Sequence, residues 1–169
     1  MNENWKDLLP QDFAADSRVW IYQASRRFAI PEALHIESLL EDFVPNWKSH
    51  GAPVAGYANL FFGQFVVLIA DESRVPVGGC STDSSVRVIR VIEAQTGVHM
   101  FDRTTLAFLK DDKIEMLPMN QLAYAAQHGF ISPNTLYFNN TVLTLAQLKD
   151  EWLVPAGKTW LKNRFFQTA

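Results

Sequence analysis

Eight consecutive residues, Gly78-Gly79-Cys80-Ser81-Thr82-Asp83-Ser84-Ser85, gather most of the chemistry this sequence offers in one place. Adjacent glycines let a backbone turn tightly. A thiol, four hydroxyls and a carboxylate then lead into a segment whose Val86, Ile89 and Ile92 recur at helical spacing, widened by Val88 and Val91. The first N–H groups of a helix lack internal partners and carry about half a positive charge, so such a start can hold a phosphate, sulfate or carboxylate. On this reading Gly79, Cys80, Ser81, Thr82, Ser84 and Ser85 are the ligand-binding candidates. Arg26 and Arg27 follow the first expected strand, and Arg103 precedes the fourth; Arg26 and Arg103 would add guanidinium groups to the same anion pocket. A positive helix end also favours a thiolate, which makes Cys80, with Asp83, the candidate for catalysis. The competing reading is structural. Ser81, Thr82 and Asp83 are favoured N-cap residues, and Asp83 can pair with Arg87 one turn on.

No other pattern completes a catalytic set. A Cys–His pair needs an imidazole within hydrogen-bond reach, and spacing alone singles out none of His35, His50, His99 and His128 as the partner of Cys80. His50 and His128 each precede a glycine, which predicts helix C-termini. A lone cysteine and the absence of a His-Glu-x-x-His pattern leave no expected metal site, and no cofactor is called for. Gly157-Lys158-Thr159 has the ending of a phosphate-binding P-loop, but Trp152 stands where that motif needs its first glycine. The acidic neighbours Glu41-Asp42, Asp71-Glu72, Asp111-Asp112 and Asp150-Glu151 point apart on any regular element and read as solvated turns and surface. Asn139-Asn140-Thr141 matches a glycosylation sequon that matters only after secretion.

The elements that must position these groups follow from pattern. Residues 1–16 read as an irregular or short helical lead-in, and 18–23 as a β-branched and aromatic strand. Pro31 suits a first helical turn, Ile36, Leu39, Leu40, Phe43 and Trp47 line one face, and Pro45, Gly51 and Pro53 end the helix. Residues 57–62 and 65–70 read as a hairpin around Gly63-Gln64, a type II′ pattern. The run 65–70 is apolar without alternation, so it should be covered on both faces. Gly97 is a natural stop for the second helix. A second hairpin over 104–109 and 114–117, a helix over 119–127, a strand over 135–138 and a helix over 145–152 complete the chain.

The order βαββαβ up to about residue 109 predicts an α+β fold with a ferredoxin-like core over 17–110, both helices on one sheet face, and an extension over 111–169. The other face would be covered by that extension or by a second copy of the chain in a homodimer. The 169 residues suit a single domain. With 15 basic and 18 acidic residues the net charge is −3, which favours neither nucleic acid nor an anionic membrane. No apolar run is long enough to span a bilayer, and the polar, acidic N-terminus is unlike a secretory signal, so a cytoplasmic location is expected.

Four blocks together resemble a small uncharacterised bacterial family whose members are often labelled ABC transporter ATPases. They are residues 17–23, residues 79–86, Phe101-Asp102-Arg103, and the aromatic, basic stretch from Trp160 to Phe166. The likeness spans nearly the whole chain. Its label implies Walker motifs, from which this chain departs at Trp152, and the resemblance brings no site residues. The expected function is a non-catalytic module that binds a partner or a small anionic ligand. A small enzyme using Cys80 or the hydroxyls of 81–85 is the alternative, and ATP hydrolysis is disfavoured.

Overall fold

The computed structural model describes residues 4–73 and 79–167, with residues 79–81 described by backbone alone. Antiparallel sheets and helices build an α+β fold that divides into two compact units. The first holds the chain to Asp102 together with Leu143–Ala146, and the second holds Arg103–Val142 and the residues from Gln147 on.

In the first unit, β1 (Arg18–Gln23) leads into α1 (Ile30–Asn46). Pro31 sits in the first turn of α1, where a missing N–H costs nothing. Glu32 Oε1 accepts the Ala29 N–H at 2.8 Å, satisfying a donor at the helix start. Arg26 grips the same carboxylate through both oxygens, at 2.9 and 3.0 Å. The Arg26 guanidinium, then the Ala29 N–H, hold the Glu32 carboxyl down to about 2. Because this value is depressed in the fold, the pair's contribution is present above the ordinary carboxyl range and is lost as pH falls towards 2. A carbon-detected NMR titration should therefore find Glu32 titrating near 2, and Arg26→Ala should move it back towards 4.5; a midpoint of 4.5 in the unaltered chain would refute the pairing.

After α1 come a short hairpin, β2 (Lys48–Ser49) with β3 (Ala52–Pro53), then β4 (Ala55–Phe61), β5 (Phe65–Asp71) and α2 (Gly79–Thr96). His50 and Gly51 link β2 to β3 with φ of 50° and 82°. His50-Gly51 is thus the two-residue turn of a hairpin and not the expected helix C-terminus. A helix stop and a primed turn ask for the same left-handed backbone, so the dipeptide fits both. At Gly97, with φ of 72°, the expected stop of α2 is present.

The sheet order is β1-β5-β4, with β5 antiparallel to both neighbours. β1 and β4 are therefore parallel and linked by α1, a split β-α-β unit. Alternate residues Val66, Leu68 and Ala70 join a core with Ile36 and Leu40 of α1 and Ile89 and Ile92 of α2, so both helices lie on one face. Phe65, Val67 and Ile69 point to the other face and have no exposed surface. The lead-in covers part of that face. Trp5 meets Phe61 edge to face at 6.2 Å, the Tyr57 hydroxyl donates to the Leu8 carbonyl at 2.7 Å, and the Ala14 N–H donates to Asp71 Oδ2 at 3.3 Å. The apolar strand is thus covered within one copy of the chain, and the sheet gives no reason for a second copy.

Two expectations change. The β4–β5 turn has three residues, not two, because Phe61 pairs with Phe65; Phe62 and Gly63 both adopt positive φ. More consequentially, the expected fourth strand leaves this sheet. β6 (Thr105–Lys110) belongs to the second unit, paired with β7 (Lys113–Pro118) along its whole length and with β8 (Leu136–Phe138). The sheet carries the first three strands of a ferredoxin-like order and not the fourth. Both edges of β6 are taken within the second unit: Asp111 and Asp112, with φ of 49° and 61°, form a two-residue turn that returns β7 onto one edge, and β8 pairs with the other. The free edge of β1 is met instead by Leu143 and Leu145, through Val19 N to Leu143 O at 3.0 Å and Leu145 N to Ser17 O at 2.9 Å.

The second unit continues with α3 (Leu122–Gln127) before β8, then α4 (Leu145–Glu151), whose residues from Gln147 belong here, β9 (Leu153–Pro155) and α5 (Leu161–Phe165). Its sheet runs β7-β6-β8-β9 and packs a core around Leu106, Phe108, Leu122, Ala125, Tyr137 and Leu161. Among the described residues no helix is long and apolar enough to cross a membrane.

Candidate functional site

Among the described residues of the first unit, Ser85 and Arg26 are engaged in the fold itself. α2 begins at Gly79, so residues 81–85 lie inside the helix and not ahead of it as caps. The side chains of Cys80 and Ser81 lie outside the described residues, as does Gly78. Ser85 is fully buried; its hydroxyl donates to the Thr82 carbonyl at 2.6 Å and lies 3.3 Å from the Tyr22 hydroxyl. Ser85 therefore occupies the inner face with Val88, Ile89 and Ile92, where Val91 was expected and is exposed instead. Ser84 is half-buried, and Asp83 and Arg87 are exposed with no ion pair between them among the described residues. Arg26 is committed to Glu32 at the start of α1. Arg103 is exposed at the beginning of the second unit.

Gly157-Lys158-Thr159 has a local structural account. A Cβ on Gly157 would lie 2.8 Å from the Pro133 side chain, so the glycine permits a close packing contact. Thr159 donates its hydroxyl to Ala156 O at 2.7 Å and accepts the Leu161 N–H at 3.3 Å. These bonds close a turn between β9 and the five residues of α5. Asp71, expected as a solvated turn residue, is buried and accepts from Ala14 N, Ser73 N and the Ser73 hydroxyl. Among the described residues no three metal-ligating side chains come together.

The second unit, taken by itself, carries a cleft of about 820 Å³ between the β6–β7 hairpin and α3. Local sequence shapes it. α3 buries Leu122 and Ala125, which turns Tyr124 and His128, four residues apart, to the outer side. The two rings lie 4.1 Å apart, and Tyr124 is 67% exposed. Gly129, with φ of 70°, then reverses the chain: its N–H bonds Ala126 O at 3.2 Å and that of Phe130 bonds Ala125 O at 2.9 Å. This paired pattern is the Schellman termination of a helix, and it needs glycine at that position. The reversal sets Phe130 against the end of β6, where Lys110 Nζ donates to the Phe130 carbonyl at 2.6 Å and sits 3.8 Å from the ring centroid. Asn120 and Gln121, in the turn preceding α3, add two exposed carboxamides to the lining.

This arrangement can stack a flat group against aromatic faces, meet its edge with amides, and offer one ammonium. Sequence reasoning placed the helix and its stop at His128-Gly129 and passed over the cleft. The signal available was the Tyr124–His128 spacing opposite Leu122 and Ala125, together with an aromatic residue directly after a glycine stop. No protein-family model, curated protein or solved structure matches this chain.

Proposed function

We propose that the protein is a binding module whose ligand occupies the cleft between the β6–β7 hairpin and α3. The observation that carries this reading is the exposure of Tyr124 beside His128 in a concave site that also holds carboxamides and an ammonium. Aromatic surface is costly to leave in water and is ordinarily buried, so its retention around a cleft marks a contact surface. The volume falls within the range of about 300–1,000 Å³ common to small-molecule sites. The anion site first expected at the start of α2 is less well supported, since Ser85 serves the core and Arg26 serves Glu32.

A screen of small aromatic fragments by amide NMR tests the reading. Fragments are expected to perturb residues 117–130, and Tyr124→Ala should weaken the best of them about tenfold or more, the scale of losing a stacked ring. Tyr124 is largely exposed, so the variant should fold. Unchanged affinity in that variant would refute the site.

A further inference from the structure

We infer that the ligand of this cleft is a flat ring bearing an anionic group, and that Lys110 selects for the charge; the inference rests on the cleft being the binding site. Lys110 brings an ammonium group to the lining of the cleft. Its ammonium is held in place by the Phe130 carbonyl at 2.6 Å and by the face of the Phe130 ring at 3.8 Å. The carbonyl takes one of three N–H donors, which leaves donors for a ligand. Among the described residues no acidic side chain lines the cleft. Asp111 and Asp112 follow Lys110 in the turn and are not part of the lining. A bound cation would therefore meet an ammonium with no carboxylate to offset it, whereas an anion would gain a charge-assisted bond.

The rest of the site fits the remainder of such a ligand. Tyr124 and His128 pack ring against ring, tilted by 36° at 4.1 Å, and the 67% exposure of Tyr124 leaves aromatic surface for stacking. The Asn120 and Gln121 carboxamides supply both donors and acceptors, which suit ring heteroatoms or ring substituents. A phosphate or a carboxylate would satisfy Lys110 equally, so the ring-plus-anion chemistry is common to a nucleoside monophosphate and an aromatic carboxylate.

The test is a calorimetric and NMR titration of the full chain with two matched pairs, adenosine 5′-monophosphate with adenosine and 1-naphthoate with 1-naphthylmethanol. Inorganic phosphate is titrated alone as a further arm. At least one charged compound should bind about tenfold tighter than its neutral counterpart, the scale of one charge-assisted contact. Lys110→Met should abolish that preference and Lys110→Arg should retain it. A preference confined to the nucleotide identifies a phosphate as the anionic group, and one confined to naphthoate identifies a carboxylate. Inorganic phosphate binding as tightly as either charged ring would overturn the inference, because the ring would then contribute nothing. Equal binding of charged and neutral partners, or a preference that survives in Lys110→Met, would overturn it while leaving the cleft as a binding site. If no ring compound perturbs residues 117–130 in the unaltered chain, it is the proposed function that fails.

Discussion

Replacing Trp47 with alanine is expected to cost about 3–5 kcal/mol, the range for removing a large buried aromatic. Trp47 is 1% exposed at the end of α1. It stacks on Phe43 with centroids 5.2 Å apart and meets Trp20 at 5.7 Å, so it joins the helix to β1. It also fills the space above Gly56 in β4: a Cβ there would lie 2.6 Å from Trp47 Cε3. Gly56→Ala alone is expected to cost about 1–3 kcal/mol by overpacking, because the wedged indole has little room to retreat. The two changes should not add. The methyl of Gly56→Ala enters space that Trp47→Ala vacates, so the double variant should lose less than the sum. Denaturant unfolding of the two single variants and the double variant measures this. Strict additivity would mean that the indole does not pack on β4 as described.

The second large effect is expected at Asp71, at the far end of β5. Its carboxylate is 2% exposed and accepts the Ala14 N–H at 3.3 Å, the Ser73 N–H at 3.0 Å and the Ser73 hydroxyl at 2.6 Å. Asp71→Ala removes the acceptor of all three bonds, of which the Ser73 donors are exposed and can turn to water. A hydrogen bond to a charged group is worth about 1.5–3 kcal/mol, so a loss in that range is expected. The consequence should be regional. The lead-in is tied to the sheet at Leu8 through Tyr57 and at Ala14 through Asp71. Hydrogen exchange of residues 9–16 should accelerate in Asp71→Ala more than that of α1. Uniform acceleration through both segments would show that the lead-in has no separate attachment at Asp71.

How much of this was legible in the sequence depended on how local the cause is. Pro31 and Gly97 bound their helices because a missing N–H and a left-handed backbone act within one turn. The unbroken apolar run of β5 correctly implied cover on both faces, since burial leaves its mark on composition. What supplies that cover was not legible. Trp5 begins a single 3-10 turn, Trp5–Leu8, with Leu9 just after it, which is too short to show a period, and only the folded chain brings Trp5 to Phe61. The hairpin of β6 with β7 was legible from its local turn, whereas the strand on the other edge of β6, β8 and not β1, was a tertiary choice. Ser85 misled through its chemistry. Four hydroxyl residues in five positions read as a ligand-binding approach to a helix, yet 85, 88, 89 and 92 carry the helical spacing of an inner face. The cleft was invisible for a related reason: exposed aromatics on a short helix look like any other apolar residues until the Leu122 and Ala125 face is known.

The most direct measurement for the account as a whole is residue-resolved amide NMR of the unaltered protein during the fragment screen. It reads both candidate regions in one experiment. Saturable shift changes are expected only in residues 110, 117, 120–121 and 124–130, with none that saturate in residues 79–87. Saturable changes at the start of α2, with the α3 cleft silent, would contradict the proposed site.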